Sequence, residues 1–220
     1  VRFIQKGPPP SVIAELRRTP DASWAGVAGD QKEAMRAALR VEQRGLCAYC
    51  NRRLPEGAKT SVEHWSARSD PQTDPFAWQD LLAVCEGLGE GPTCDRRRGD
   101  ESLRLHPARR PPDVEVAVRF YKDGRLRPAD AQVEQECEQL LGLSDPVLVR
   151  ARKEVANVVL ERLAAAQARS AGDLAREVRK LREAFEANTG VLPPHPRVVV
   201  PLLDQAERRA EALKARPRGR

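Results

Sequence analysis

Four cysteines, Cys47, Cys50, Cys85 and Cys94, fall within one stretch of this chain, and their spacing constrains the fold more than any other feature. Cys47-Ala-Tyr-Cys50 has the C-x2-C spacing that lets two thiolates on one tight turn reach the same tetrahedral metal. Cys85 and Cys94 supply a second pair, and Gly87, Gly89, Gly91 and Pro92 between them would let the loop fold back on itself. The alternatives are an isolated redox C-x2-C or buried free thiols. A thioredoxin-like motif needs a βαβ context, whereas a helical pattern precedes this one. The expectation is therefore a structural zinc site held by the four thiols. Cys137 is left over in a helical pattern and reads as a half-buried thiol.

Glu63 and His64 follow a strand-like run, Lys59-Thr60-Ser61-Val62. A single His in a strand is more often structural than catalytic. This one lies in a zinc-stapled loop beside an acid, and the second cysteine pair brings Asp80 and Asp95 near it. With 3 histidines in the chain, a His-rich metal centre is excluded. A hard cation such as Mg²⁺ is commonly held by one or two carboxylates plus substrate phosphate oxygens. Glu63 and Asp95 could supply those carboxylates, and His64 could deprotonate an attacking water. Neighbouring strand residues point to opposite faces, so Glu63 and His64 share one site only if the strand ends or bends there.

Cys47-Ala-Tyr-Cys50, Val62-Glu63-His64, Asp80-Leu-Leu, Cys85 and Cys94-Asp95-Arg-Arg-Arg-Gly99-Asp100 resemble the HNH endonucleases, which have a ββα-metal fold. Within them, the chain is most similar to the PtuB-like nucleases of Septu-type and retron-associated phage-defence systems. Arg2 to Gly7, Phe120 to Gly124, Leu141 to Ser144 and Arg150-Ala-Arg152 extend the resemblance over most of residues 1–165. The resemblance implies His64 as general base and Glu63 as the acid before it, often a metal ligand. It places Asp80 at the middle position, usually Asn, which holds and polarises the base, and Asp95 on the catalytic Mg²⁺ or Mn²⁺. Asp at position 80 adds negative charge and should raise the basicity of His64. A co-encoded PtuA-like ATPase is implied as partner. The chain itself has no G-x-x-x-x-G-K-[ST] motif, so nucleotide control would come from another chain.

Net charge is +6 and the pI about 9.3, which favours nucleic acid as a partner. The 31 arginines against 7 lysines, with abundant Ala, also point to GC-rich coding, so part of that charge is compositional. Arg68, just after the Glu-His pair, and Arg96, Arg97 and Arg98, at the start of a helical element, are placed to touch phosphate. Loop and surface arginines are as often simply solvated. Trp65, Phe76 and Trp78 read as core, and aromatics at 4% are thin for a single-strand stacking platform. His106 and His195 read as structural or loop residues. No apolar run approaches ~20 residues, and the start carries no signal-peptide pattern. With free thiols in a metal pattern, the expectation is a cytoplasmic protein without membrane contact.

The periodicities divide the chain into three. Residues 1–44 hold a Pro-rich lead-in and a helix with Ala34, Met35, Ala38 and Leu39 at helical spacing, opened by an Asp30-x-x-Glu33 capping box and stopped at Gly45. Residues 45–128 hold the zinc-bound nuclease module, with a hairpin expected from the alternation Val114 to Phe120 and the turn Asp123-Gly124. Residues 129–220 carry helical stripes, among them Leu174, Val178, Leu181 and Phe185, and a basic tail from Arg216 to Arg220. They read as a partner-binding region. The expected fold is α+β and helix-rich, around a zinc-stabilised ββα-metal HNH module. Two rival readings keep the cysteines: a zinc-dependent nucleic-acid-binding module without catalysis, and a protein-interaction scaffold.

Overall fold

In the computed structural model, residues 1–87, 92–111, 113–187 and 189–215 are described. Gly89, Gly91 and the basic Arg216–Arg220 tail lie outside the described residues. The chain is α+β, about half helical, with two small antiparallel sheets. No helix among the described residues is long and apolar enough to cross a membrane.

Helix α1 (Ser11–Arg18) buries Val12, Ile13 and Leu16, and a 3₁₀ turn follows at Trp24–Gly26. Helix α2 (Gly29–Glu42) turns Met35 and Leu39 inward. Its start lies just before the anticipated capping box. The Ala28 N–H donates to the Gln31 side chain at 3.0 Å, so Gln31 does the work expected of Glu33. Gly45 adopts φ +73, and a Cβ there would meet Val191 Cγ1 at 2.6 Å, which explains both the stop and the glycine.

Strands β1 (Thr60–His64) and β2 (Leu81–Cys85) pair antiparallel, with Thr60 opposite Cys85 and His64 opposite Leu81. The other edge of β2 is closed by the Ala48 N–H, which donates to Ala83 O at 3.1 Å, and by a side chain. Gln43, 1% exposed, donates to Ala83 O and Leu46 O and accepts from Ala83 N. Together they take the place of a third strand, and the buried amide ties the end of α2 to the cysteine turn. The lead-in packs on this unit. Lys6 pairs with Glu42 at 2.6 Å and lies over the Trp78 ring, while Trp78 Nε1 donates to Glu42.

A one-turn helix, α3 (Asp95–Arg98), follows the second cysteine pair. The stretch expected as the first hairpin strand divides in two. Asp113 caps a helical turn, α4 (Val114–Ala117), by accepting from Glu115 N, and only Val118–Phe120 extends as β3. It pairs with β4 (Leu126–Pro128) across the Asp123-Gly124 turn. The local cap outweighs apolar alternation over so short a run. Helix α5 (Ala131–Gln135) runs into one wider π-type turn at Glu136–Leu140. Cys137 there is fully buried rather than half-buried.

Helices α6 (Pro146–Arg169), α7 (Ala171–Phe185) and α8 (Pro196–Ala215) pack on one another. The α7 stripe is the anticipated one, with Ser170 as its cap. Helix α8 begins at Pro196 and buries Val198, Val199, Leu202 and Leu203. Buried residues from Val1 to Ala210 form one continuous cluster that crosses all three stretches read from the sequence.

Candidate functional site

The cysteine cluster is built by two local devices. Cys47 N donates to Arg52 O, and Asn51, at φ +59, donates from its backbone to Cys47 O, so Cys47 and Cys50 sit on one closed turn. Cys85 ends β2, and its N–H donates to Cys47 Sγ at 3.4 Å. Cys94 is held by a bond from its N–H to Leu141 O. All five cysteines of the chain are free and buried. The Sγ atoms of Cys47, Cys50, Cys85 and Cys94 lie within 4.8 Å of one another, with the 47–94 pair 3.9 Å and the 50–85 pair 3.7 Å apart. Zn–S bonds of ~2.3 Å in a tetrahedron put sulfurs ~3.8 Å apart. The cluster could therefore hold a metal ion such as zinc.

Beside it runs a polar cavity of about 420 Å³, lined by Trp24, Ser61, Val62, Glu63, His64, Arg68, Asp95, Gly99 and Asp100. Four consecutive residues of β1 border it, so the cavity follows the unpaired edge of that strand. This resolves how neighbours on opposite strand faces meet one site. On one face, Ser61 Oγ donates to Asp95 Oδ2 at 2.9 Å, and Glu63 turns toward Tyr49 and Arg98. On the other, His64 packs against Trp24 and meets Pro75 O at 3.0 Å.

Glu63 is buried, and both its bonds, from Tyr49 Oη and Arg98 Nη1, land on Oε1. Burial raises its carboxyl to about 7, and nearby Asp95 pushes the same way, against the charge of Arg98. His64 is 7% exposed, and burial lowers its imidazole to about 4. A carbonyl only accepts, so Nε2 carries the proton toward Pro75 O and Nδ1 is left as the acceptor nitrogen.

Two sequence expectations are corrected. Asp80 does not hold His64. The β1–β2 register puts His64 opposite Leu81, so Asp80 falls opposite Trp65, whose N–H it accepts from at 2.9 Å. Residues directly opposite share a face, which turns Asp80 away from His64. It accepts instead from His106 Nε2 at 3.2 Å, from Arg109 and from Ser66. Burial raises Asp80, but His106 and Arg109 outweigh it and hold the carboxyl below its ordinary value. His106, 2% exposed, is thus a buried brace.

Arg98 does not face a phosphate either. It is 2% exposed, and its guanidinium donates to Tyr49 Oη, Glu63, His64 O, Trp65 O and Glu101 O. In a one-turn helix directly behind β1, the fourth residue points into the protein. Arg96, exposed, lies 3.6 Å from Glu86, and Arg97 Nε donates to Gln139 O. Arg68 alone of the four arginines borders the cavity.

No family model matches the chain, and no curated protein is detectably similar to it in sequence. The functional reading therefore stands on geometry and on the motif resemblance. Residues missed by sequence reasoning include Trp24, Ser61, Tyr49 and Pro75, which touch His64, Glu63 or Asp95. Ser61 lies two residues before Glu63 on the same strand face, a spacing the sequence carried; Trp24, Tyr49 and Pro75 arrive from other elements and have no such signal. His195, read as a loop residue, is 4% exposed and bonds Cys50 O through Nδ1 at 3.1 Å.

Proposed function

We propose that the chain is a metal-dependent endonuclease of HNH type, built on a zinc-stabilised ββα-metal module, that hydrolyses phosphodiester bonds in nucleic acid, DNA ahead of RNA. The observation that carries this reading is the convergence of His64, Glu63, Asp95 and Arg68 on one polar cavity beside a four-thiol cluster. The chain order β1, β2, α3 is in keeping with it. The motif resemblance adds a role as the nuclease of an anti-phage complex with a co-encoded ATPase.

The residues present fit a hard divalent cation. Glu63 Oε2 and Asp95 Oδ1 have no hydrogen-bond partner among the described residues, and both carboxylates border the cavity. They would hold Mg²⁺ or Mn²⁺, which keep several waters and need few protein ligands. When bound, such an ion stabilises charge on the phosphate and on the leaving oxygen. The chain's own residues do the rest. His64 is neutral at pH 7 and presents Nδ1 as acceptor, so it takes a proton from the attacking water. Burial makes it a weaker base but keeps it in the accepting form. Arg68 supplies positive charge to the cavity lining, suited to a phosphate oxygen. Arg98 fixes the Glu63 carboxylate, and Ser61 fixes that of Asp95.

The test is cleavage of supercoiled plasmid by zinc-loaded protein with Mg²⁺ or Mn²⁺, alone and with the co-encoded ATPase. His64→Ala should lose ~10²–10⁴-fold in rate while retaining zinc and nucleic-acid binding. Asp95→Ala should be inactive and partly rescued by higher Mg²⁺. Wild-type cleavage rates in His64→Ala would remove the mechanism and leave a zinc-dependent binding module.

A further inference from the structure

The N-terminal lead-in has no readable function in the sequence, yet one of its side chains reaches the cavity. Trp24 sits in the short turn between α1 and α2, outside the cysteine-bracketed stretch. Its ring lies 4.4 Å from the His64 imidazole, centroid to centroid, at 88°. Phe76 lies behind it at 6.4 Å, and Lys32 Nζ is 5.7 Å from the Trp24 centroid. Trp24 lines the cavity shared by His64, Glu63 and Asp95. Its turn is pinned on both sides: Gly26 N donates to Ser23 O, Val27 N donates to Trp24 O, and Val27 is buried.

A single hydrogen bond from Nε2 to Pro75 fixes one point of the imidazole ring. It leaves the ring free to tilt and to turn about its bond to Cβ, because that torsion is soft. An indole ring set perpendicular to the imidazole removes this freedom, and edge-to-face packing is the favoured arrangement for two such rings. We propose that Trp24 is a positioning residue for His64, holding the imidazole in the one orientation in which Nε2 meets Pro75 O and Nδ1 remains as the proton acceptor. The inference rests on the nuclease reading for its catalytic consequence, but the clamp itself is a property of the folded chain. It makes the segment before α2 a wall of the site, supplied from outside the motif that carries the chemistry.

The experiment has two arms on the zinc-loaded full chain. The first is ¹H–¹³C NMR of the histidine rings, simplified because the chain has 3 histidines, with His64 assigned by its loss in His64→Ala. Trp24→Ala should remove the indole ring current, shift the His64 signals and broaden or split them, leaving those of His106 and His195 in place. Trp24→Phe should keep one sharp His64 set. An unchanged, single His64 set in Trp24→Ala overturns the clamp, and this arm needs no turnover. The second arm is cleavage kinetics. Trp24→Ala should lower kcat by ~10²-fold, the scale of a small misplacement of a catalytic group, with KM near wild type. Trp24→Phe should recover most of it. A raised KM with kcat intact would make Trp24 a substrate-stacking residue and sink the positioning role. Unchanged kcat in Trp24→Ala, with His64→Ala inactive, defeats this inference alone. Wild-type rates in His64→Ala defeat the nuclease reading, whatever the NMR shows.

Discussion

At the scale of single residues, Arg98 shows how burial changes what a charge is for. A guanidinium donating to five oxygens of Tyr49, Glu63, His64, Trp65 and Glu101 is part of the frame that holds β1 to α3. Arg98→Met should cost about 3–5 kcal/mol, because it leaves the Glu63 carboxylate buried without its partner. Arg98→Lys should recover little, since an ammonium cannot reproduce the planar fork. Urea unfolding of the zinc-loaded variants reads this directly. A variant with wild-type stability and weaker nucleic-acid binding would return Arg98 to the phosphate-contact role read from the sequence. The cysteines carry the second prediction at this scale. Elemental analysis should find about one zinc per chain, and Cys94→Ser should lower both zinc content and the thermal midpoint, because closed thiolate sites contribute folding free energy directly.

At the scale of elements, the β3–β4 hairpin is docked through its turn. Gly124 has φ +86, and a Cβ there would lie 2.0 Å from Val149 O on α6. Arg152, 2% exposed on the same helix, donates to Gly124 O and Leu143 O and lies over the Phe120 ring. The turn and α6 therefore approach backbone to backbone, and the Arg152 side chain ties them. Gly124→Ala should destabilise by at least ~2 kcal/mol, because it combines positive-φ strain with an overlap against main chain that cannot move aside. Chemical denaturation checks this, and a change within ~0.5 kcal/mol, ordinary for surface substitutions, would show that turn and helix can separate. The neighbouring exposed Lys122→Ala is the control.

At the scale of the whole molecule, the buried histidines set a pH dependence that His106 allows to be read. His106 accepts from Ala108 N through Nδ1 and donates from Nε2 to Asp80, so it is neutral in the fold, and burial lowers its pKa. Asp80, Arg109, Lys6 and Trp65 surround it. Below the unfolded value of ~6.5, the unfolded chain takes up a proton that the native state refuses. Stability due to neutral His106 is complete above that pH and is lost as pH falls toward the lowered folded value. Asp80, held below its ordinary value, gives way only in a more acidic window. The His106 contribution should thus shrink as pH falls below ~6.5, while Glu63, whose carboxyl is raised to about 7, takes up a proton in the native state and works the other way. The His106 part is read as a difference, with His106→Gln losing stability less steeply than the wild type as pH falls, by up to one proton equivalent. Parallel slopes in the two proteins would place no native–unfolded difference at His106.

The chain by itself determined what depends on spacing within one element. The C-x2-C turn, the inward Met35 and Leu39 of α2, and the Leu174 to Phe185 stripe follow from local backbone geometry, so they are legible without a fold. The second cysteine pair was legible too, because tetrahedral thiolate chemistry demands four ligands. Only the tertiary structure decided who meets whom between elements. The β1–β2 register turned Asp80 toward His106, and the segment before β2 brought the Pro75 carbonyl to His64. The shortness of α3 carried Arg98 inward. The lead-in delivered Trp24 to the imidazole, and the approach to α8 delivered His195 to the cysteine turn. Such contacts join positions up to 145 residues apart, and nothing in the local pattern at either end records the rotation or register that brings them together.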